Sequence, residues 1–257
     1  MGIVFRQDDG SVAVSEIDPK LGEMTSIIIP GDTEVTVAKN YGVLRIKNVW
    51  QLGLNEKLNG KLLSDTVMQN FLFPVHLWSD SDVASIKNTD FLGIIRFIFL
   101  PKKTNISFGD RALIGFYAMG LKELSKTEID LGRSQFLKKI RLSDGEQGYR
   151  IVDSTAARLG VYFSDNDLIG QKLNVYLVDA TGKNGVGEKV GQIIEVMGGK
   201  VVSIDRRTQP EKKGCEISGR NLDIGKKVAK LFGCVLTKDK SDFDLEMRLG
   251  TEFANNF

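Results

Sequence analysis

Leu173-Asn174-Val175-Tyr176-Leu177-Val178-Asp179-Ala180-Thr181-Gly182-Lys183-Asn184-Gly185-Val186-Gly187-Glu188-Lys189-Val190-Gly191-Gln192-Ile193-Ile194-Glu195-Val196-Met197-Gly198-Gly199-Lys200-Val201-Val202-Ser203-Ile204 is the stretch whose reading decides the fold. Val175, Leu177 and their neighbours form a short apolar run, rich in β-branched and aromatic residues, that reads as a buried strand. Asp179 to Gly185 breaks it with turn chemistry. Val186, Val190, Ile193, Ile194 and Met197 then recur at helical spacing as one apolar stripe. Gly198-Gly199 stands where a left-handed cap ends a helix. Val201, Val202 and Ile204 supply the next strand, completing a strand–helix–strand unit.

A second unit follows. Cys215 and Ile217 lie in a strand, and Ile224, Val228, Leu231 and Phe232 stripe a helix that ends at Gly233. Val235 and Leu236 resume extended structure, and Phe243, Leu245, Met247 and Leu249 alternate with charged residues, the period of a half-buried strand. Together these make a small α/β domain with helices covering its sheet. Cys215 and Cys234 sit in a strand and directly after the following helix, so they can approach. A bridge and two buried thiols both remain open. Two cysteines and one histidine cannot complete a tetrahedral zinc site.

The chain has 257 residues, 42% of them hydrophobic and 26% charged, which suits a globular protein of two ordinary domains. A net charge of +2 is too mild to imply nucleic acid. Phe91 to Leu100 is the most apolar run, but it is half the roughly 20 residues a spanning helix needs and contains Arg96. Arg96 with Lys102-Lys103 allows a membrane-surface helix there; a helix packed on a sheet is the favoured reading. Arg6, Asp8 and Asp9 interrupt any leader-like run at the start. Taken literally the chain is cytoplasmic; as a portion of a longer protein with an upstream anchor, it is extracytoplasmic and membrane-associated.

Toward the N-terminus, Val12 to Ile17 and Met24 to Ile29 read as a hairpin around Asp18-Pro19-Lys20-Leu21-Gly22. Val35 and Val37 continue extended structure. Leu44 to Leu54, Leu62 to Phe71, Phe91 to Phe99 and the stretch through Leu113, Ile114 and Tyr117 read as helices. Val75 to Trp78 reads as a strand. Glu128 to Leu131 and Phe136 to Leu142 suggest a further hairpin, with Asp144-Gly145 as a turn, and Thr155 to Phe163 a short helix.

Two separated features resemble the LytR–CpsA–Psr (LCP) envelope proteins. The C-terminal match comprises the strand before Asp179-Ala180-Thr181, the Gly-rich turn into a helix, and Asp242-Phe243-Asp244-Leu245-Glu246-Met247-Arg248-Leu249-Gly250-Thr251-Glu252-Phe253. It covers about the last third of the chain and resembles the LytR C-terminal domain, which usually has Asn at the place of Asp179. The N-terminal match comprises Val12 to Asp18, then Ile27-Ile28-Ile29-Pro30-Gly31-Asp32-Thr33, and resembles the family's catalytic domain. That resemblance implies transfer of polyisoprenyl-pyrophosphate-linked glycopolymers, with Mg²⁺, acidic residues and arginines at the pyrophosphate.

Several positions depart from the family pattern. Its strand ends Ile-Pro-Arg-Asp-Thr, and Gly31 stands at the arginine's place, removing a permanently charged fork suited to phosphate. The opening family strand has no counterpart before Met1, and Asp8 and Asp9 are offset from the second acidic position. Asp130-Leu131-Gly132-Arg133 is a faint echo of the arginine-dense segment. The chain therefore reads as α/β with two domains: a degenerate LCP-like mixed sheet with covering helices at 1–163 and, beyond a linker at 164–171, a βαββαβ-like domain at 172–253 with a tail at 254–257. Its expected role is non-catalytic binding of a glycopolymer, a lipid-linked precursor or an envelope protein. The enzyme alternative acts on pyrophosphate-linked glycans, with Asp32 on Mg²⁺ and Arg45 or Arg133 replacing the missing arginine.

Other motifs carry less. Gly219 to Lys227 lacks the spacing and the hydroxyl of a phosphate loop, and Asn221 or Asp223 as a helix cap accounts for it. Thr181, Gly182 and Gly185 precede a helix and could bind an anion, although a plain strand-to-helix turn is the default. His76, between Val75 and Leu77, has a structural role in a strand, and no nucleophile elbow accompanies it.

Overall fold

The computed structural model describes residues 1–80, 91–100, 103–121, 125–152, 155–171, 173–238 and 241–257. Lys102 and position 172, the expected start of the second domain, lie outside them. The chain forms two compact units, Met1–Asn70 with Val75–Thr155, and Phe71–Pro74 with Ala156–Phe257.

The first unit is built on a mixed five-stranded sheet. β2 (Val12–Asp18) pairs antiparallel with both β1 (Gly2–Arg6) and β3 (Glu23–Ile29). β6 (Val75–Ser79) adds parallel to β1, and β7 (Lys126–Asp130) parallel to β3. The expected hairpin between β2 and β3 is present, and Asp18 ties its turn by accepting bonds from the backbone of Lys20 and Leu21 at 2.8 and 3.1 Å. Four of the five residues of β1 are buried, as in a strand covered on both faces. On one face, α3 (Phe91–Phe99) and α4 (Phe108–Gly120) pack Ile94, Phe97, Ile98, Ile114 and Ala118 against Ile3, Phe5, Ala13, Ile17 and Leu77. Near β6, α1 (Ile46–Asn55) sets Trp50 edge-on to Trp78 at 5.8 Å, and in α2 (Lys61–Phe71) Ser64 donates to the Val75 carbonyl at 3.2 Å.

One hairpin differs from expectation. The segment Glu128 to Asp130 joins the main sheet as part of β7, and the hairpin forms instead between β8 (Leu137–Arg141) and β9 (Gln147–Ile151). The Asp144-Gly145 turn closes this hairpin, with Gly145 at φ +83°. A smaller hairpin pairs β4 (Glu34–Val37) with β5 (Gly42–Arg45), which runs straight into α1.

From Ala156 onward the second unit takes up the rest of α5 (Thr155–Leu159) and α6 (Asn166–Gln171). Residues 164–171 are therefore not an open linker: Leu168 is fully buried, so the segment packs within this unit. Its sheet has the order β11-β10-β14-β12-β13, with β10 (Asn174–Asp179) flanked in parallel by β11 (Lys200–Arg206) and β14 (Leu245–Leu249). β12 (Cys215–Ser218) lies antiparallel to β14 and parallel to β13 (Val235–Leu236). Between β10 and β11, α7 (Val186–Val196) buries Val190, Ile193 and Ile194, and Gly198 closes it at φ +97°, the expected left-handed cap. Asn221 caps α8 (Leu222–Phe232) by accepting from Ile224 N at 3.2 Å. Cys215 and Cys234 are joined as a disulfide. The expected tail is in fact the end of a helix, α9 (Thr251–Asn256), held because Phe253 and Ala254 are buried and Phe257 stacks on Phe253.

Candidate functional site

The family-like turn Pro30-Gly31-Asp32-Thr33 leaves β3 as a tight bend, in which Thr33 donates to the Pro30 carbonyl through its backbone at 3.0 Å and its hydroxyl at 2.7 Å. Backbone bonds then pin the bend on two sides. Lys47 N donates to Gly31 O and Ile46 N to Thr33 O from the start of α1, and Tyr149 N donates to Asp32 O from β9. These bonds carry Arg45, Lys47 and the β8–β9 turn to the Asp32 side chain.

Asp32 Oδ1 accepts from Lys47 Nζ at 2.6 Å and from Arg45 Nη1 at 2.8 Å. Arg45 is mostly buried, and its remaining donors are engaged as well. Nε and Nη2 bind the two oxygens of Asp144 at 2.8 and 3.0 Å, a bidentate clasp, and Glu146 stands 3.2 Å from Nη2. Asp32 therefore titrates below the ordinary carboxylate range, first because Lys47 and then because Arg45 hydrogen-bonds its ionised form, outweighing desolvation. Asp144 is also lowered, by the backbone N–H of Glu146 and then by Arg45. The cluster sets two cations against three carboxylates and offers no surplus positive charge to a pyrophosphate.

Of the residues expected at phosphate, Arg45 does reach Asp32 and Arg133 does not. Arg133 Nε pairs with Asp130 at 3.1 Å, with its side chain almost fully exposed. Asp32 Oδ1 faces an ammonium and a guanidinium, so that oxygen is not open to magnesium, and no cluster of three or more metal-ligating side chains occurs among the described residues. Sequence reasoning missed Lys47, Asp144 and Glu146. Asp144 had a visible signal as a turn residue, but only the pairing of Thr33 with Tyr149 brings that turn beside Asp32.

Gly31 is constrained more tightly than a simple change of residue type suggests. A Cβ built there would lie 2.6 Å from the Gly10 carbonyl oxygen and 3.2 Å from Lys47 Cβ. No side chain fits without moving backbone.

At the second candidate, the turn at Thr181, Gly182 and Gly185, the Thr181 donors are already engaged by a carboxylate of the same chain. Asp179, 5% exposed, accepts at Oδ1 from Thr181 N (3.0 Å) and Thr181 Oγ1 (2.6 Å), and at Oδ2 from Gly187 N (3.1 Å). An external anion would have to displace this internal one.

Lys47→Met should raise the Asp32 carboxyl toward its ordinary value in an NMR titration. Stability should change by less than about 1 kcal/mol, because both partners are well exposed. The depressed Asp32 value stabilises the fold above the unfolded carboxylate value of about 3.9 and loses that effect as pH falls below it. In the variant, the loss on acidification should be smaller.

No family model and no curated protein matches the chain. Solved structures do resemble it. TagV from B. subtilis aligns at 12% identity and a TM-score of 0.44, covering 62% of this chain and 93% of that one. TagT bound to LIIa-WTA aligns at 11% identity and a TM-score of 0.45, covering 62% and 87%. YwtF (TagT) with bound octaprenyl pyrophosphate lipid aligns at 12% identity and a TM-score of 0.44, covering 62% and 86%. The structural neighbours of this two-unit α/β chain are thus LytR-CPS2A-psr proteins.

Proposed function

We propose that the chain is a non-catalytic, envelope-associated module of the LCP type that binds a glycopolymer or its lipid-linked precursor. The observation that carries the loss of chemistry is the turn at Gly31 and Asp32. Arginine cannot occupy position 31 beside the Gly10 carbonyl, and the Arg45 guanidinium that does stand at Asp32 is engaged by three carboxylates. The ligand class follows from the resemblance of Val12 to Thr33 and of Asp242 to Phe253 to the family's motifs. The Cys215–Cys234 bridge supports an oxidising compartment outside the cytoplasm.

The enzyme reading has one observation in its favour, the arrival of Arg45 beside Asp32. Phosphoryl chemistry needs that charge free to meet the charge that develops in the transition state, and here it is neutralised. Calorimetric titration with a polyisoprenyl-pyrophosphate-linked glycan in detergent tests the binding half of the proposal. Saturable heat of similar size with and without magnesium is expected, and absence of heat overturns the assigned ligand.

A further inference from the structure

The outer face of the α3–α4 pair also carries large apolar side chains. While Ile94, Phe97 and Ile98 face the sheet, Phe91, Leu92 and Phe99 of α3 are each 60% exposed or more, as are Leu113 and Phe116 of α4. Single exposed apolar side chains are ordinary, but contiguous ones mark a contact surface. The two helices share one patch, since the rings of Phe99 and Phe108 lie 5.8 Å apart.

Charge identifies the occupant. The described residues from Phe91 to Leu121 hold three cations, Arg96, Lys103 and Arg111, and one acid, Asp110, which hydrogen-bonds the capping Ser107. Arg96 is exposed and forms no ion pair among the described residues. The half-buried Arg111 guanidinium lies over the Phe108 ring at 5.9 Å and donates through Nη1 to the Leu100 carbonyl at 3.4 Å. With 9 and 13 residues, neither helix approaches the roughly 20 needed to span a bilayer. Exposed aromatic and aliphatic side chains on short helices whose segment carries more cations than acids suit the boundary between headgroups and acyl chains. A second copy suits the face less well, because a two-fold interface presses the same patch against itself and brings cations toward cations.

We propose that this face docks on the surface of an anionic phospholipid bilayer, with Phe91, Leu92, Phe99, Leu113 and Phe116 entering the interface and Arg96, Lys103 and Arg111 meeting lipid phosphates. It does not depend on the ligand assigned above, because the surface recognises bulk lipid.

Flotation of the full chain with vesicles that contain no polyisoprenyl lipid tests it. The chain should float with vesicles of phosphatidylcholine and phosphatidylglycerol, and less with phosphatidylcholine alone or at high salt. L113E combined with F116E should weaken partitioning about ten-fold or more while leaving the melting temperature unchanged, since both side chains are exposed. A chain that stays unbound with the phosphatidylglycerol vesicles overturns the proposal, as does a double variant that floats equally well. A dimer abolished by the same substitutions, with no vesicle binding, assigns the face to a second copy and also overturns it.

Discussion

Gly31→Arg destabilises the first unit and confers no activity on pyrophosphate. The family resemblance alone suggests the opposite, that restoring arginine restores chemistry. The backbone contradicts this, because the clash begins at the first side-chain carbon, 2.6 Å from the Gly10 carbonyl oxygen. Relief requires shifting the turn at Gly10 or the bend at Gly31, and the bend is held by the bond from Lys47 N to Gly31 O. Overpacking of this kind costs about 1–3 kcal/mol, and each kcal/mol lowers the melting temperature by about 2–4 °C in a chain of this size. Gly31→Ala should lose nearly as much as Gly31→Arg, since the two share the offending carbon. A harmless alanine beside a damaging arginine would locate the problem in charge and bulk farther out and refute the steric explanation. Thermal unfolding of the three proteins decides it.

Asp179→Ala carries the other large effect, in the second unit. The carboxylate sits in the strand-to-helix turn and satisfies three donors at once, two from Thr181 and one from Gly187 at the start of α7. Removing it strands buried donors next to the positive end of a helix, where a negative charge is favoured. Charge-assisted bonds of this kind contribute about 1.5–3 kcal/mol each in isolation, and since they share one group a total loss near 3 kcal/mol is expected. Asp179→Asn, which installs the residue usual in the resembling family, keeps one acceptor oxygen and turns an amide toward the other donors. It should lose about half as much. Gly187→Ala offers an independent check. In an ordinary helix that change gains about 1 kcal/mol from propensity, but here the new carbon would lie 2.8 Å from Asp179 Oδ2, so destabilisation is expected. Chemical unfolding followed by circular dichroism reads all three, and a neutral Asp179→Ala would show that the turn stands without its carboxylate.

The second unit was the more legible in sequence. Its strands and helices follow from two clear periodicities punctuated by Gly198 and Gly233, and β10, α7, β11, α8 and β14 all form where the patterns place them. What escaped was packing at its margins. Thr251 to Asn256 has no long apolar stripe, and its helix exists because Phe253 and Ala254 find buried positions. In the first unit, local pattern located β7 but not its partner, because whether Glu128 to Asp130 pairs with β3 or with Leu137 to Arg141 depends on long-range register. The site divides in the same way. Asp32 and Arg45 were nameable from motif and residue type, and they do meet at 2.8 Å. Asp144 and Glu146, about 100 residues further along the chain than Arg45, neutralise the arginine, and no spacing rule reaches that far. The same limit hid the role of Asp179, which reads as a turn residue until its hydrogen bonds show it holding Thr181 and the start of α7.

Loss of chemistry with retention of the scaffold is tested most directly by one cleavage assay. The full chain is incubated with a labelled polyisoprenyl-pyrophosphate-linked glycan, magnesium and a glycan acceptor, and the pyrophosphate linkage is followed over many equivalents of substrate. An intact linkage, with the labelled glycan recovered bound to the protein, is the predicted result. Magnesium-dependent release or transfer that disappears in Asp32→Asn would contradict it, because Arg45 would then be acting on phosphate despite its three carboxylate partners.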